Sequence, residues 1–348
     1  MKKNRFAVLF AVIPMVCMLT GCGSTNPKTE EGMKQVSSFQ YASALELFDE
    51  AEGLGENERL IARGRGIAYL GQSMYEKAID SFLLSLALSD GFVQDVDYDI
   101  NYYLADAYLG AQRYEDAEEV YSSIIDLKDD AQAYYLRGNA RILQGSYTMA
   151  SEDFKKAMSL EPKNTGMLIN IYLCLADNGY KDAGMEYLQN TLANADRSMT
   201  ALDKGKINFY MGEYQIAAAS LEEARSQDND NSDANLYLGR AYEAVGEYNY
   251  ASNVYENYLA RNTQDAAVYN QLATCRMKMG DYEGALDCIQ LGMQTGDKAM
   301  LKALSFNEIV AYEYLGEFQS AKALMKSYLE SYPGDEEALR EEIFLQTR

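Results

Sequence analysis

Acidic side chains are the most abundant reactive groups of this chain, and one loop spaces them as a calcium site would. In the stretch QDNDNSDANLYLG, Asp228, Asp230 and Ser232 alternate like the oxygen ligands of a calcium loop. Such a loop needs glycine at its sixth position and a bidentate glutamate at its twelfth. Asp233 and Gly239 stand at those two places. The sequence therefore predicts no metal here, but an acidic turn in which Ser232 or Asp233 caps the next helix.

The side chains most often used in catalysis are absent from the sequence. It contains no histidine, which excludes Ser–His–Asp and Cys–His nucleophile systems and histidine zinc sites and removes the commonest general base. No strand-rich segment and no glycine-rich phosphate loop behind a strand can be found. Carboxylate pairs are so frequent that none stands out, and we interpret them as solvated helix faces. We therefore expect a protein that is not an enzyme and that uses no cofactor and no metal.

A lone cysteine near the N-terminus indicates a different chemistry, the attachment of a lipid. A basic start precedes an apolar run over residues 6–19, which is too short to span a bilayer and is typical of a secretory signal. The run ends in LTGC, at Cys22, which resembles the lipobox of bacterial lipoproteins. The resemblance implies that residues 1–21 are removed and that Cys22 becomes the acylated N-terminus on the extracytoplasmic face of a cell membrane. The alternative is a plain secretion signal with an incidental cysteine.

Charge and cysteine content narrow the choice of partners further. The formal net charge is −22, so the chain should not bind nucleic acid and should stand off an anionic membrane surface. Beyond the signal segment and Cys22, three widely spaced cysteines remain: Cys174, Cys275 and Cys288. An odd number at such spacing is not a disulfide framework, and we expect buried free thiols, with a Cys275–Cys288 bridge as the alternative.

One pattern recurs along the chain, namely an aromatic residue followed three positions later by alanine. Successive alanines are 33 to 39 residues apart. The nine pairs are Tyr41/Ala44, Tyr75/Ala78, Tyr114/Ala117, Tyr147/Ala150, Tyr180/Ala183, Tyr214/Ala217, Tyr248/Ala251, Tyr282/Ala285 and Phe318/Ala321. A fixed period of this length indicates stacked copies of one supersecondary unit.

The residues around each alanine predict two helices per copy. Four residues after the alanine comes a large apolar side chain, and this spacing places both on one helix face. The large residues are Phe48, Phe82, Tyr121, Phe154, Tyr187, Leu221, Tyr255, Ile289 and Met325. Twelve residues before the alanine, most copies have a small residue on the preceding helix, with Ile171 and Ile309 as exceptions. A glycine commonly falls between the two helices, where it can take the positive φ that ends the first one.

This pattern resembles the tetratricopeptide repeat closely, in its period and in its small, aromatic and alanine positions. The resemblance implies an all-α fold, an α-solenoid in which about nine antiparallel helix pairs form a right-handed superhelix. Each pair has a first helix A and a second helix B, and the A helices line the concave face. The chain departs from the family in having no tryptophan, and the copy around Tyr180 diverges at Ile171, Cys174 and Asn190.

The predicted organisation has four parts. Residues 1–21 are the signal peptide, residues 22–28 are the lipidated cysteine with a short tether, and residues 29–334 are the repeat solenoid. Residues 335–348 form a single capping helix, which has acidic residues in its first turn. The 39-residue step adds a longer loop at SDGFVQDVDYD, which we interpret as a possible binding edge. We expect an elongated monomer.

The resemblance also implies which residues line the groove. Groove positions lie three before, one after and four after each small residue of helix A. They are Tyr102, Asp106, Tyr135, Asn139, Ile142, Leu168, Tyr172, Leu202, Lys206, Arg240, Asn270 and Thr274. The carboxylate clamp of chaperone-binding members is not present. Lys206 and Arg240 stand one repeat apart, where they can meet an acidic group.

A groove rich in tyrosine and asparagine suits an extended peptide or a short helix. The sequence therefore predicts a membrane-anchored, non-catalytic scaffold at the bacterial cell envelope that binds a protein or peptide. The alternative is a carrier or sensor of a non-protein ligand such as a glycan or peptidoglycan fragment, because aromatic faces also suit sugars.

Overall fold

The computed structural model describes residues 26–196, 198–332 and 335–348, and over these ranges the chain forms nineteen α-helices and no strand. The predicted signal peptide, its lipobox and Cys22 lie outside the described residues. The chain divides into two compact units, Met1–Tyr187 and Leu188–Arg348. The sequence predicted one repeat domain over 29–334, and the boundary between the units falls inside its fifth copy.

Unit 1 consists of helical hairpins in chain order, with odd-numbered A helices and even-numbered B helices. Its helices are α1 (Pro27–Ser37), α2 (Tyr41–Gly53), α3 (Glu58–Gly71), α4 (Tyr75–Ala87), α5 (Asp95–Gly110), α6 (Tyr114–Leu127), α7 (Ala131–Leu143), α8 (Tyr147–Leu160) and α9 (Thr165–Asp177). Helix α10 (Lys181–Ala193) contains the boundary between the units. Each helix packs on its neighbour in the chain, and α1, α3 and α5 lie side by side.

Unit 2 continues the same order. Its helices are α11 (Ala201–Met211), α12 (Tyr214–Gln227), α13 (Ser232–Ala244), α14 (Tyr248–Leu259), α15 (Ala266–Met279), α16 (Tyr282–Gln294), α17 (Lys298–Tyr314), α18 (Phe318–Ser331) and α19 (Glu336–Gln346). Among its A helices, α11 touches α13, α13 touches α15, and α15 touches α17. The predicted all-α fold of nine helix pairs and a C-terminal helix is confirmed, and α19 follows α18 after a short connection.

The two helices of a repeat begin in different ways. Most A helices follow an Asn, Asp or Thr whose side chain accepts a hydrogen bond from the backbone of the first turn, as Asn57, Asp130 and Asp265 do. Most B helices begin directly at the aromatic residue, after a turn residue with positive φ. The predicted cap of α13 is wrong by one residue, because Asn231 caps it and Ser232 is its first residue.

The core of each repeat is a small residue of helix A facing the large residue of helix B. A Cβ added to Gly66 would come within 2.4 Å of the Phe82 ring, and one added to Gly138 within 2.5 Å of the Phe154 ring. The two phenylalanines are fully buried. Only glycine lets these helices approach this closely. The predicted pattern of small and large residues therefore determines how the two helices of a repeat pack.

The fifth repeat is displaced by one residue from the predicted register. Helix α10 begins at Lys181, and the buried positions of its face are Gly184 and Leu188, so the pair Tyr180/Ala183 and the following Tyr187 are not the equivalent residues. The small position of α9 then becomes Tyr172, whose ring lies 3.2 Å from a Cβ built on Gly184. Helix A therefore has a large residue at its small position, and glycine in place of the alanine of helix B makes room for the tyrosine.

The structure also bears on the predicted start of the first helix and on the predicted state of the cysteines. Pro27 is the first residue of α1, so the first helix begins two residues before the predicted residue 29, inside the segment 22–28 that was predicted as a tether. Proline suits this position, since the first-turn N–H has no partner within the helix. Cys174, Cys275 and Cys288 are buried free thiols, as the sequence predicted, and no bridge joins Cys275 to Cys288.

Candidate binding surface

Hydroxyl and carboxyl groups on and beside the A helices of unit 1 form hydrogen bonds within the unit. The hydroxyl of Tyr102 donates to Asp130 Oδ1 over 2.9 Å, and that of Tyr121 donates to Asp106 Oδ1 over 3.3 Å. Burial, with a smaller contribution from Asp130, raises the pKa of Tyr102 well above its ordinary value. Burial raises the pKa of Asp106 to about 6, and the hydrogen bond from Tyr121 offsets part of that rise.

Four of the residues expected to line the groove are buried. Tyr135, Ile142, Leu168 and Tyr172 expose 4%, 3%, 1% and 7% of their surface. Tyr135 and Ile142 belong to the hydrophobic core of unit 1. Leu168 and Tyr172 were chosen in a register one residue too early. The expectation that these four face a ligand is therefore wrong, and they pack the interior instead.

The last groove candidate of unit 1 is also engaged within the unit. Asn139 is half-buried, and its Oδ1 accepts a hydrogen bond from the thiol of Cys174 over 3.2 Å. Burial raises the pKa of Cys174 to about 12, so the thiol stays protonated and keeps its donor. The polar side chains that were predicted to line the groove of unit 1 thus form hydrogen bonds within the unit, which leaves few of their polar atoms to bind a ligand.

In unit 2, two cations and three aromatic rings come together on the A helices α11 and α13. We call Lys206, Phe209, Tyr210, Tyr237 and Arg240 the cation–aromatic cluster. The Lys206 ammonium pairs with Asp233 and lies 5.3 Å from the centre of the Tyr237 ring. The hydroxyls of Tyr210 and Tyr237 are 3.1 Å apart. The sequence predicted that Lys206 and Arg240 share a face, and the structure brings them to the same ring.

Arg240 differs from the other cation of this cluster. Its guanidinium carbon lies 4.8 Å from the centre of the Phe209 ring and 5.1 Å from that of Tyr237. Among the ion pairs of the described residues, none includes Arg240. Rings that hold a guanidinium in place leave its N–H donors available to an incoming carboxylate. In a chain of net charge −22, a half-buried arginine without a carboxylate partner is unusual.

The remaining candidates of unit 2 have structural contacts of their own. Leu202 packs on the small apolar cluster of Ala201 and Ala224. Asn270 accepts a hydrogen bond from Asn307 over 2.8 Å, and Thr274 donates to the carbonyl oxygen of Asn270 over 3.0 Å. Asn270 and Thr274 lie on α15, one repeat beyond Arg240, and they are partly exposed.

The sequence reasoning missed the three aromatic members of the cluster. Phe209 stands four residues after Gly205, which is a groove position by the rule already in use, and it was not included. Tyr210 and Tyr237 lie outside that rule, and only the spacing of their hydroxyls in the structure connects them. A search for aromatic residues beside Lys206 and Arg240 on the same helix faces would have found all three.

No group of three or more Asp, Glu and Cys side chains is placed to hold a metal ion within the part of the chain that the structure describes. In the same residues, every helix is too short or too polar to cross a membrane.

Comparison with known proteins identifies the repeats. Four segments match family models of the tetratricopeptide repeat, at residues 92–130, 131–164, 209–270 and 305–335. The chain therefore contains tetratricopeptide repeats, in both units. Proteins built from these repeats are generally non-catalytic scaffolds that bind protein partners.

The curated relatives are similar over limited regions. The BBSome complex member BBS4 of Bos taurus is 21% identical over 274 residues, which are 77% of this chain and 39% of that protein. The photosystem I assembly protein Ycf3 of Acaryochloris marina is 32% identical over 99 residues, 27% of this chain and 60% of that protein. The chain thus spans less than two thirds of the length of either relative.

Solved structures share the repeat architecture at low identity. A tetratricopeptide repeat protein of Parabacteroides merdae is 12% identical, with a TM-score of 0.47, covering 84% of this chain and 99% of its own. A tetratricopeptide repeat protein of Thermus thermophilus is 15% identical, with a TM-score of 0.43, covering 53% and 100%.

Proposed function

We propose that this protein is a non-catalytic scaffold of the bacterial cell envelope, anchored through an acylated Cys22, that binds a protein partner in the A-helix layer of unit 2. One observation carries the proposal. The guanidinium of Arg240 is held against Phe209 and Tyr237 and, within the described residues, has no carboxylate to neutralise it. The partner then supplies an acidic side chain or a C-terminal carboxylate to Arg240 and apolar surface to the rings.

The arrangement favours a protein ligand over a sugar. The Phe209 ring packs edge to face with those of Tyr210 and Tyr237, at 87° and 84°, and the Arg240 guanidinium lies over it, so this ring is already in contact within the chain. A sugar needs an open ring face to stack on, whereas a carboxylate needs fixed donors. The names of the two relatives, a complex member and an assembly protein, agree with a role in holding proteins together.

The binding site is tested by affinity purification from solubilised envelopes, comparing the unaltered protein, Arg240→Ala and Arg225→Ala. Arg225 is a matched control because it is an arginine of the same unit on a B helix, paired with Glu222. We expect a stoichiometric partner whose recovery falls at least tenfold with Arg240→Ala, because a charge-assisted bond contributes about 1.5–3 kcal/mol. Arg225→Ala should retain the partner.

Two other results would contradict parts of the proposed function. If no protein is enriched and the chain binds cell-wall fragments saturably, the carrier function replaces the scaffold. The anchor is tested separately by fractionation of Cys22→Ala, which should move the protein from the membrane fraction to the soluble fraction, since acyl chains are then absent. Membrane retention of that variant would show that Cys22 is not the anchor.

A further inference from the structure

A second unusual feature lies at the C-terminal ends of the B helices of unit 1. Ten residues after the buried alanine, the first four repeats all have leucine, at Leu54, Leu88, Leu127 and Leu160. These leucines are 67%, 39%, 60% and 36% exposed. A leucine repeated at one exposed position of the first four repeats contributes little to the core, because most of its side chain is in contact with solvent at Leu54 and Leu127.

The same position is polar in every later repeat. Counted from Gly184 in the fifth repeat, it is occupied by Asn194, Gln227, Arg261, Thr295 and Ser331. Arg261 donates to Asp230 Oδ1 and to the carbonyl oxygen of Asn229, both over 2.9 Å, so this side chain bonds across to the preceding connection. The leucines have no such role, and their exposure calls for a different explanation.

The insertion between α4 and α5 adds to this apolar surface. In the connection SDGFVQ, Phe92 is 77% exposed and Val93 59% exposed. Asp90 accepts a hydrogen bond from the backbone N–H of Phe92 over 3.1 Å, which turns the loop and holds the two apolar residues outward. We call the four leucines together with Phe92 and Val93 the leucine edge. Apolar surface on this scale is typical of an interaction site.

A cavity of about 370 Å³ opens at the same edge. It lies between the α2–α3 and α4–α5 connections and is lined by Asn57, Glu58, Arg59, Leu88 and Asp90. The Nε of Arg59 is buried and has no hydrogen-bond partner among the described residues. Glu58 and Asp90 are exposed carboxylates, and neither takes part in the ion pairs of the described residues. The cavity thus combines one leucine wall with two exposed carboxylates that have no cationic partner among the described residues, and the charge of Arg59 is already paired with Asp97.

The charge of the edge indicates the charge of what binds there. The connections that end the B helices of the first four repeats, residues 53–57, 87–94, 126–130 and 159–164, contain six acidic and two basic residues. The acidic residues are Glu56, Asp90, Asp126, Asp129, Asp130 and Glu161. A partner that covers the leucines must therefore tolerate or neutralise an excess of carboxylates, and a basic partner does so.

We propose that the leucine edge docks a basic amphipathic helix of a partner protein. Its apolar residues cover the leucines, and a lysine or arginine beside them enters the cavity between Glu58 and Asp90. A repeat step is one interhelical distance, about 10 Å, because the A helices of neighbouring repeats touch. Seven residues of an α-helix span nearly the same length, about 10.5 Å. The helix that fits therefore has an apolar residue at about every seventh position for about 22 residues.

Two other occupants fit less well. An anionic membrane surface and a second copy of a chain with net charge −22 are both repelled by the acidic edge. This surface is also distinct from the cation–aromatic cluster, because it lies in the other unit and attracts the opposite charge.

The experiment measures binding of a labelled synthetic peptide to the purified full chain by fluorescence anisotropy. The peptide has leucine at every seventh position over about 22 residues and lysine on its flanks. We expect saturable binding that weakens with salt, and at least tenfold weaker binding by the double variant Leu88→Gln plus Leu127→Gln. A peptide with glutamate in place of lysine should not bind. Arg240→Ala should bind the basic peptide normally, which separates this proposal from the proposed function.

A matched control removes two exposed leucines elsewhere in unit 1. Leu84 and Leu143 are 45% and 37% exposed, and neither occupies the repeated position. Leu84→Gln plus Leu143→Gln should change the peptide affinity less than twofold. Equal binding of basic and acidic peptides, or equal losses with both double variants, would overturn the proposal. So would binding of phosphatidylglycerol vesicles or dimerisation of the chain in sedimentation, if either requires Leu88 and Leu127.

Discussion

The two units use the same repeat, yet they differ in where they leave groups without partners. In unit 1 the carboxylate of Asp106 on an A helix is bonded within the unit, to Tyr121 of the next B helix, while the ends of the B helices expose Leu54 and Leu127. In unit 2 the ends of the B helices are polar, while the A helices hold Arg240 without a carboxylate. The difference teaches that the repeated small and large residues build the fold, and that the positions between them determine what each unit can bind.

The first test of the comparison changes glycines that allow the two helices of a repeat to pack closely. Gly138→Ala places a Cβ 2.5 Å from the buried Phe154 ring, whereas Gly184→Ala places one 3.1 Å from the carbonyl oxygen of Tyr172. Overpacking costs about 1–3 kcal/mol, and alanine returns up to about 1 kcal/mol of helix propensity. We expect Gly138→Ala to lower the free energy of unfolding by about 2 kcal/mol, and Gly184→Ala to change it by less than about 0.5 kcal/mol.

Urea unfolding followed by circular dichroism measures both variants. Equal destabilisation by the two would show that the fifth repeat is packed like the others, and would contradict the looser packing of Gly184 against Tyr172. A repeat array need not unfold in one step, so the midpoints of unit 1 are compared between variants rather than absolute values.

The second test concerns the position directly after the small residue of helix A, which is acidic at Asp106 and basic at Lys206 and Arg240. Burial raises the pKa of Asp106 to about 6 from an ordinary value of 3.8. In the unfolded chain this carboxyl therefore ionises first, and the stability of the fold decreases as the pH rises from about 4 to about 6. Below about pH 4 both states are protonated and the penalty disappears.

Asp106→Asn should remove that penalty, because asparagine carries no charge and keeps an oxygen to accept from Tyr121. We expect a gain in unfolding free energy on the order of 2 kcal/mol at pH 7, which shrinks to near zero at pH 4. Denaturant titrations of both proteins at a series of pH values measure the difference. A gain that does not depend on pH would mean that the negative charge of Asp106 does not destabilise the fold.

The sequence predicted the features that recur from repeat to repeat, but it did not predict the positions that differ between repeats. The period, the helix pairs and buried pairs such as Gly66 with Phe82 follow from residues that recur at fixed spacing. The register of the fifth repeat was predicted wrongly, because Tyr180 and Ala183 match the aromatic–alanine pattern one residue before the equivalent positions in the structure. Groove residues were predicted from family geometry alone, and Tyr135 proved buried because spacing specifies a helix face but not its depth.

A third comparison concerns the turns between the helices of a repeat. The first three hairpin turns use Phe39, Ser73 and Gln112 at positive φ, whereas the later ones use glycine, for example Gly212. Left-handed backbone costs a non-glycine residue about 1–2 kcal/mol, part of which the greater freedom of glycine in the unfolded chain offsets. We expect Gln112→Gly to raise the unfolding free energy by about 0.5–1 kcal/mol and Gly212→Gln to lower it by about 1 kcal/mol.

Thermal unfolding of Gln112→Gly and Gly212→Gln measures these changes in stability. If Gln112→Gly were destabilising, the side chain of Gln112 would have to make a contact that outweighs its backbone strain. The pair of variants also shows whether the turns of the first repeats gain stability from their side chains or are merely tolerated there.

The smallest expected effect is the most informative about the leucine edge. Leu127 is 60% exposed, so Leu127→Gln should change the free energy of unfolding by less than about 0.5 kcal/mol. Leu136 is 4% exposed, and Leu136→Ala should cost about 2–5 kcal/mol. If Leu127→Gln also destabilises unit 1, the exposed leucine contributes to folding and its recurrence needs no partner. If the fold is indifferent to it, four leucines at one exposed position have no structural reason, and the ligand that covers them becomes their explanation.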